Sequence, residues 1–252
     1  MSKQFLAIVA LGAASLSANA AIELGEGALS YQQNFDSLAS SGSTGTALPT
    51  GWAFAETLAN ANASYGVGDG GSNAGNTYSF GSAGSSDRAL GSLQSGNLLT
   101  VFGASFTNQA SRAIDSLAIS YTGEQWRLGA ANRADRLQFQ YSTDASSLNT
   151  GSWTSVSALD FGSIVTTGSA RALNGNSNSA AVSGSLSGLS LAQGATLWLR
   201  WTDFNASGAD DGLAVDNFSL NATLAPVPEP SSYALLLAGL GAIGFVTRRR
   251  RS

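Results

Sequence analysis

Between Ala21 and Leu224, apolar and polar residues alternate in short runs, a period of two that predicts β-strands rather than helices. The clearest run is Arg136–Ser142, with Leu137, Phe139 and Tyr141 on one face and Gln138 and Gln140 on the other. Leu117, Ile119 and Tyr121 repeat the pattern and continue toward Trp126 and Leu128. Leu98–Phe106 places Val101 and Phe102 inside, and Thr196–Thr202 sets Leu197, Leu199 and Trp201 against Trp198 and Arg200. Leu213–Leu220 behaves differently. Its inward set changes phase, from Leu213 and Val215 to Phe218 and Leu220, so a β-bulge at Asp216-Asn217 is predicted to reconcile the two halves.

Further strands are predicted at Leu29–Phe35, Trp52–Phe54, Thr77–Phe80, Ala89–Leu93, Ser152–Phe161 and Ala180–Leu186. Gly, Ser, Asn and Thr crowd the connections, no internal repeat is visible, and Gly66–Gly75 and Gly168–Ser179 read as long surface loops. About ten closely spaced short strands without intervening helices predict an all-β fold, an antiparallel β-sandwich of jelly-roll type over residues 21–224.

The two ends follow other rules. Residues 1–20 combine Lys3, the apolar run Phe5–Leu16 and the small-residue site Ala18-Asn19-Ala20, so they read as a secretory signal helix removed before Ala21. After the short linker Leu224–Pro226 come Val227-Pro228-Glu229-Pro230, the apolar run Tyr233–Val246 and the cluster Arg248, Arg249, Arg250 and Arg251. The prolines hold the tetrapeptide extended. The apolar run, a short transmembrane helix, would extend roughly 21 Å against a hydrocarbon core of about 30 Å. The arginines form a membrane stop that stays cytoplasmic, leaving the body of the chain outside.

This order of parts in residues 225–252 closely resembles the PEP-CTERM sorting signal of Gram-negative bacteria. The resemblance implies that an integral-membrane exosortase is a partner, that it recognises Val227–Pro230, and that the protein is exported through the inner membrane to the outer surface or the medium. It also implies a setting in which extracellular polysaccharide is exported, hence an exopolysaccharide or biofilm association.

Charge and composition narrow the chemistry. Of twelve basic residues, five (Lys3 and Arg248–Arg251) lie in the terminal segments; of sixteen acidic residues, only Glu229 does, leaving seven against fifteen and a body charge of −8. Such a surface repels nucleic acid. With no cysteine and no histidine in the chain, and no lysine after Lys3, disulfides, thiol catalysis, Ser-His-Asp triads, His-based zinc sites and Schiff-base chemistry are excluded. Carboxylates remain. Glu56, Glu124, Asp135 and Asp160 could serve a glycosidase, but no spacing among them selects an acid–base pair, and Arg133 and Arg136 beside Asp135 read as a salt-bridged strand entry.

The densest acidic stretch runs from Asp203 through Asn205, Asp210 and Asp211 to Asp216. Its opening D-x-N-x-S-G matches the first half of a calcium loop, while Ala214 stands where a twelfth-position Glu would close an EF-hand. The segment Gly212–Leu220 also resembles the final strand of secreted jelly-roll and galactose-binding-like domains. That resemblance implies a structural calcium at Asp216, with Asn34 and Asp36 as partners from the N-terminal strand. Among aromatic residues, Trp126 and Trp198 stand beside Arg127 and Arg200 as candidate glycan-stacking platforms, and Trp52, Trp153 and Trp201 are expected in the core. The sequence thus reads as a non-catalytic exported protein; a carbohydrate-binding module is the alternative, and a carboxylate glycosidase ranks behind both.

Overall fold

The computed structural model describes residues 20–227 and four helical positions, 236, 239, 240 and 249. The expected signal helix and, apart from those positions, the segment 228–252 lie outside the described residues. Among the described residues no helix is long and apolar enough to cross a membrane.

The strands in chain order are β1 (Ile22–Leu24), β2 (Ser30–Gln33), β3 (Thr44–Gly45), β4 (Trp52–Thr57), β5 (Tyr65–Gly68) and β6 (Asn76–Phe80). There follow β7 (Ala89–Leu93), β8 (Leu99–Asn108), β9 (Ile114–Leu128), β10 (Arg136–Ser142) and β11 (Thr154–Ser155). The last are β12 (Phe161–Gly162), β13 (Arg171–Ala172), β14 (Ser179–Leu186), β15 (Thr196–Asp203) and β16 (Gly212–Leu224). They form two sheets, one ordered β1-β8-β15-β10-β11 with β4 beside β8 and β12 beside β10. The other is ordered β13-β9-β16-β7-β6-β5-β3, with β14 beside β9 and β2 beside β16.

The sandwich is mixed rather than purely antiparallel, because β1 runs parallel to β8 and β5 parallel to β6. Chain order explains the first pair: β1 and β8 are far apart in sequence and need no tight hairpin, which only antiparallel neighbours can use. It does not explain the second, since β5 and β6 are consecutive and joined by residues 69–75 alone. The expected strand over Ser152–Phe161 is also corrected. It is two short strands around a 3₁₀ turn, Ser157–Leu159, that buries Leu159 against Gly184 of β14.

The inner faces meet around Trp201, which stacks on Trp52 and Phe102 and takes the edges or faces of Tyr121, Phe139 and Phe218, all with ring centroids 5.2–5.9 Å away. A buried tryptophan removes roughly 200 Å² from water, a gross gain of about 5 kcal/mol. With no cysteine in the chain, this aromatic cluster and its aliphatic surround hold the layers together.

The predicted bulge is present. The register of β16 on β9 shifts between Asp216 and Ser219, and Asn217 takes a φ of +49°. Before the bulge β16 pairs with β7, and after it with β2. The extra residue turns Phe218 and Leu220 into the same core that Leu213 and Val215 already face.

A second, smaller apolar cluster lies outside the main one: Tyr78, Phe80, Ala89, Leu93, Trp126 and Ala214. Two loops close over it. A Cβ on Gly70 (φ +86°) would sit 1.8 Å from the Trp126 carbonyl oxygen, and one on Gly175 would sit 2.2 Å from the indole ring. Only glycine permits so close an approach.

Candidate functional site

The seven oxygen-bearing residues expected around a calcium ion fall into two separate groups. Asp211 and Asp216 are five strand residues apart, about 16 Å at the usual rise. At the end of the sandwich, Asp211 is fully buried: its carboxylate accepts from the Gly129 amide (2.7 Å), the Gln125 side chain (3.1 Å) and the Ser163 hydroxyl (2.5 Å). Arg133 lies between two acids, 3.3 Å from Asp135 and 3.2 Å from Asp211. Asp135 in turn accepts from the backbone amides of Asp211 and Arg136, both at 2.8 Å. The expected pairing of Arg133 with Asp135 is therefore present, while Arg136 is placed over the ring of Phe204.

Asp203 closes this network from the last position of β15. One carboxylate oxygen accepts from Ser92 (2.9 Å) and the Gln94 amide (3.1 Å); the other is buried with no hydrogen-bond partner. Burial, then the neighbouring Asp135, holds the Asp203 carboxyl far above the ordinary range, and burial raises Asp135 as well. Asp210 accepts from the Ala206 amide at 2.9 Å, and burial followed by Asp135 pushes it to about 6. Asn205 sits in the exposed loop beside it, lining a pocket of about 600 Å³ with Gln94, Arg127 and Asp210.

The second group gathers on the outer face of the nine-stranded sheet. Pairing of β2 with β16 (Gln33 opposite Phe218) carries Asn34 and Asp36 toward the bulge. The Asn34 amide donates to Asp36 at 2.6 Å, and Asp36 accepts from the Arg88 amide at 3.2 Å. Asp216 is buried and accepts from the backbone and side-chain nitrogens of Asn217, both at 2.7 Å. Burial, then Glu124, Asp87 and Asp36, pushes Asp216 to about 7. Glu124 is likewise buried and raised to about 7 by that burial, partly offset by the Trp126 indole. Among the described residues both ion pairs belong to Arg133, so this group has no cationic partner within salt-bridge distance. Among the same residues no three Asp or Glu side chains are placed to hold a metal ion.

The tryptophans divide differently from expectation. Trp126 is 2% exposed, stacked 6.1 Å from Phe80, with its indole N–H donating to Glu124 at 2.8 Å. Alternation does place it on the face away from the main core, but the loop carrying Gly175 lies against the indole, so it presents no open ring. Trp198 is half-exposed on the outer face of the seven-stranded sheet. Trp153, expected inside, is instead half-exposed, with the Arg200 guanidinium 3.8 Å above its ring. Arg200 is further held by Gln140 (2.8 Å) and the Leu148 carbonyl (2.5 Å), and burial lowers it to about 10. Trp52 and Trp201 fill the core as expected.

The remaining carboxylates do structural work. Glu56 accepts from the Thr77 and Asn62 amides and Asp160 from the Phe139 amide. Of the four candidate glycosidase carboxylates, Glu124 lies with Asp216 and Asp135 with Arg133, so these two do not form an acid–base pair. Gln125, Ser92 and Ser163 were not singled out from sequence. The signal for Gln125 was present: it is polar at an inward position of β9, in phase with Leu117, Ile119 and Tyr121.

These features define an all-β, sandwich-like body whose acidic side chains mostly serve its own backbone. At its end, residues 226–251 match the PEP-CTERM protein-sorting motif, so the chain carries that sorting signal. The motif implies an exported protein sorted by an exosortase. Among curated proteins, none matches the sequence. Similar solved structures include TmCBM61 in complex with beta-1,4-galactotriose, at 10% identity and TM-score 0.31, covering 56% of this chain and 74% of that one. The CBM22-1-CBM22-2 tandem domain of Paenibacillus barcinonensis Xyn10C matches at 12% identity and TM-score 0.39, covering 80% of this chain and 47% of that one. The enzymatically active domain of bacteriophage CBA120 tailspike protein 4 matches at 7% identity and TM-score 0.36, and the match spans only 19% of that chain.

Proposed function

We propose that the chain is a non-catalytic surface or matrix protein which an exosortase processes at Val227–Pro230, and which acts in association with exopolysaccharide. The observation that carries this reading is where the body stops. Strand β16 ends at Leu224, Ala225 is tied down by its amide to the Ala113 carbonyl (2.8 Å) and by Arg112 to its own carbonyl (3.0 Å), and Val227 is 64% exposed. The sorting motif begins at residue 226, so its recognition peptide leaves a finished domain with no strand to surrender. Replacing Pro228, Glu229 and Pro230 by alanine in the producing cell should leave a larger, membrane-retained precursor. Normal processing and release of that variant would overturn the proposal.

Calcium is proposed as a structural cofactor, bound at Asp36 and Asp216 with Asn34. The support is chemical: Asp216 and Glu124 are buried carboxyls without a salt-bridging cation among the described residues, beside further hard oxygen donors, the class of ligand that calcium takes. The Asp203–Asp211 loop is the weaker place, because Arg133 already supplies positive charge to Asp211.

A second reading is a carbohydrate-binding surface. It is favoured by the half-exposed ring of Trp198 beside the Arg200–Trp153 stack and Gln140, an aromatic platform next to fixed planar polar groups.

A further inference from the structure

Strand β14 is an open sheet edge. Its eight residues, Ser-Ala-Ala-Val-Ser-Gly-Ser-Leu, pair among the described residues with β9 on one side only. The phase of that pairing is set by the Gln125 amide, which donates to the Asn178 carbonyl at 3.0 Å. In an antiparallel ladder, alternate residues turn both backbone groups toward the same neighbour. Ala180, Val182, Gly184 and Leu186 therefore bond to β9, while Ser179, Ala181, Ser183 and Ser185 turn their N–H and C=O groups away from it. Among the described residues no hydrogen bond reaches the outward groups of Ala181, Ser183 or Ser185.

Proteins blunt such edges with charge, proline or a covering segment. Here there is neither proline nor charge, and the 3₁₀ turn Ser157–Leu159 packs on the inner face, under Gly184, rather than along the edge. The neutrality extends well past the strand. No charged residue occurs from Ala172 to Leu199, although the body carries −8 overall. Two copies of so acidic a body repel each other over most of their surface, and least along this stretch.

We infer that β14 is a self-association edge: two copies of this chain pair antiparallel, β14 to β14, about a two-fold axis. The occupant is a second copy because the edge is self-complementary. Its outward backbone groups belong to three serines and an alanine, side chains small enough to face their own images without clash, and a two-fold closes the pair. An eight-residue edge buries less than the 1,200 Å² or so typical of a stable complex, so the dimer is weak and forms at high local concentration.

The test uses the full chain in density-matched detergent, by sedimentation equilibrium from roughly 1 μM to 1 mM, a range set by the weakness of so small an interface. The wild type should show a reversible monomer–dimer equilibrium, with amide-exchange protection at Ala181, Ser183 and Ser185 rising with concentration. Ser183→Pro removes an N–H that the monomer does not use, and should raise the dimer Kd at least tenfold with the melting temperature unchanged. Ser183→Lys, which leaves the backbone intact, should do the same and serves where the proline variant misfolds. A wild type monomeric throughout the range, or a dimer that survives Ser183→Lys, would overturn the inference.

Discussion

The indole N–H of Trp126 donates to the carboxylate of Glu124 at 2.8 Å, and both side chains are buried on the outer face of the same sheet. Burial outweighs that hydrogen bond and raises Glu124 to about 7. The sign of the consequence follows. Below the unfolded value of 4.5 the group is protonated in both states and costs nothing. Between 4.5 and about 7 the folded chain keeps a proton that the unfolded chain releases, so stability falls as pH rises through that window, and the loss is complete above it. The loss is on the order of 3 kcal/mol. Glu124→Gln keeps the acceptor and removes the charge, so in EDTA it should melt higher than wild type at pH 8 and match it at pH 4. A variant less stable at pH 8 would show that the carboxylate is paired there.

Trp126 and Trp198 should respond in opposite ways to truncation. Trp126→Ala empties a buried site bounded by Phe80 and Gly175 and should cost about 3–5 kcal/mol by denaturant unfolding. Trp198→Ala removes a half-exposed ring and should cost about 1 kcal/mol. On a glycan array, any binding that survives Trp198→Ala unchanged would sink the carbohydrate-surface reading.

Asn217 holds a left-handed backbone at the bulge. Asn tolerates that region and most residues do not, so Asn217→Val should destabilise by about 1–2 kcal/mol. Asn217→Gly should stay within about 0.5 kcal/mol of wild type by the same measurement. Equal effects of the two variants would mean that the side-chain bond to Asp216, rather than the backbone, sets the bulge.

Calcium at a hundredfold excess over its Kd should stabilise by about 2.7 kcal/mol at pH 7.5, read as a higher melting temperature that EDTA reverses. Asp216→Asn should abolish the shift, and Asp203→Asn should preserve it. No change in melting temperature in the wild type removes the ion from the proposal.

The sequence by itself determined what depends on local pattern. Alternation marked Arg136–Ser142 and Thr196–Thr202 as strands, because side chains two apart must share a face. The phase change in Leu213–Leu220 located the bulge for the same reason. Residues 226–251 could be read as a sorting signal because an address of this kind is contiguous. Only the tertiary structure decided which faces meet solvent. Trp126 stands on the side opposite the main core, as its position in β9 requires, yet a loop remote in sequence, the one carrying Gly175, lies against its ring and Phe80 stacks on it. Trp153, in the loop before β11, lies half-exposed under Arg200 of β15, a partner remote in sequence, and the seven calcium candidates separate because strand length, not adjacency in the chain, sets their distance. Parity along a strand is a property of neighbouring residues, whereas burial and the company a carboxylate keeps are set by long-range closure.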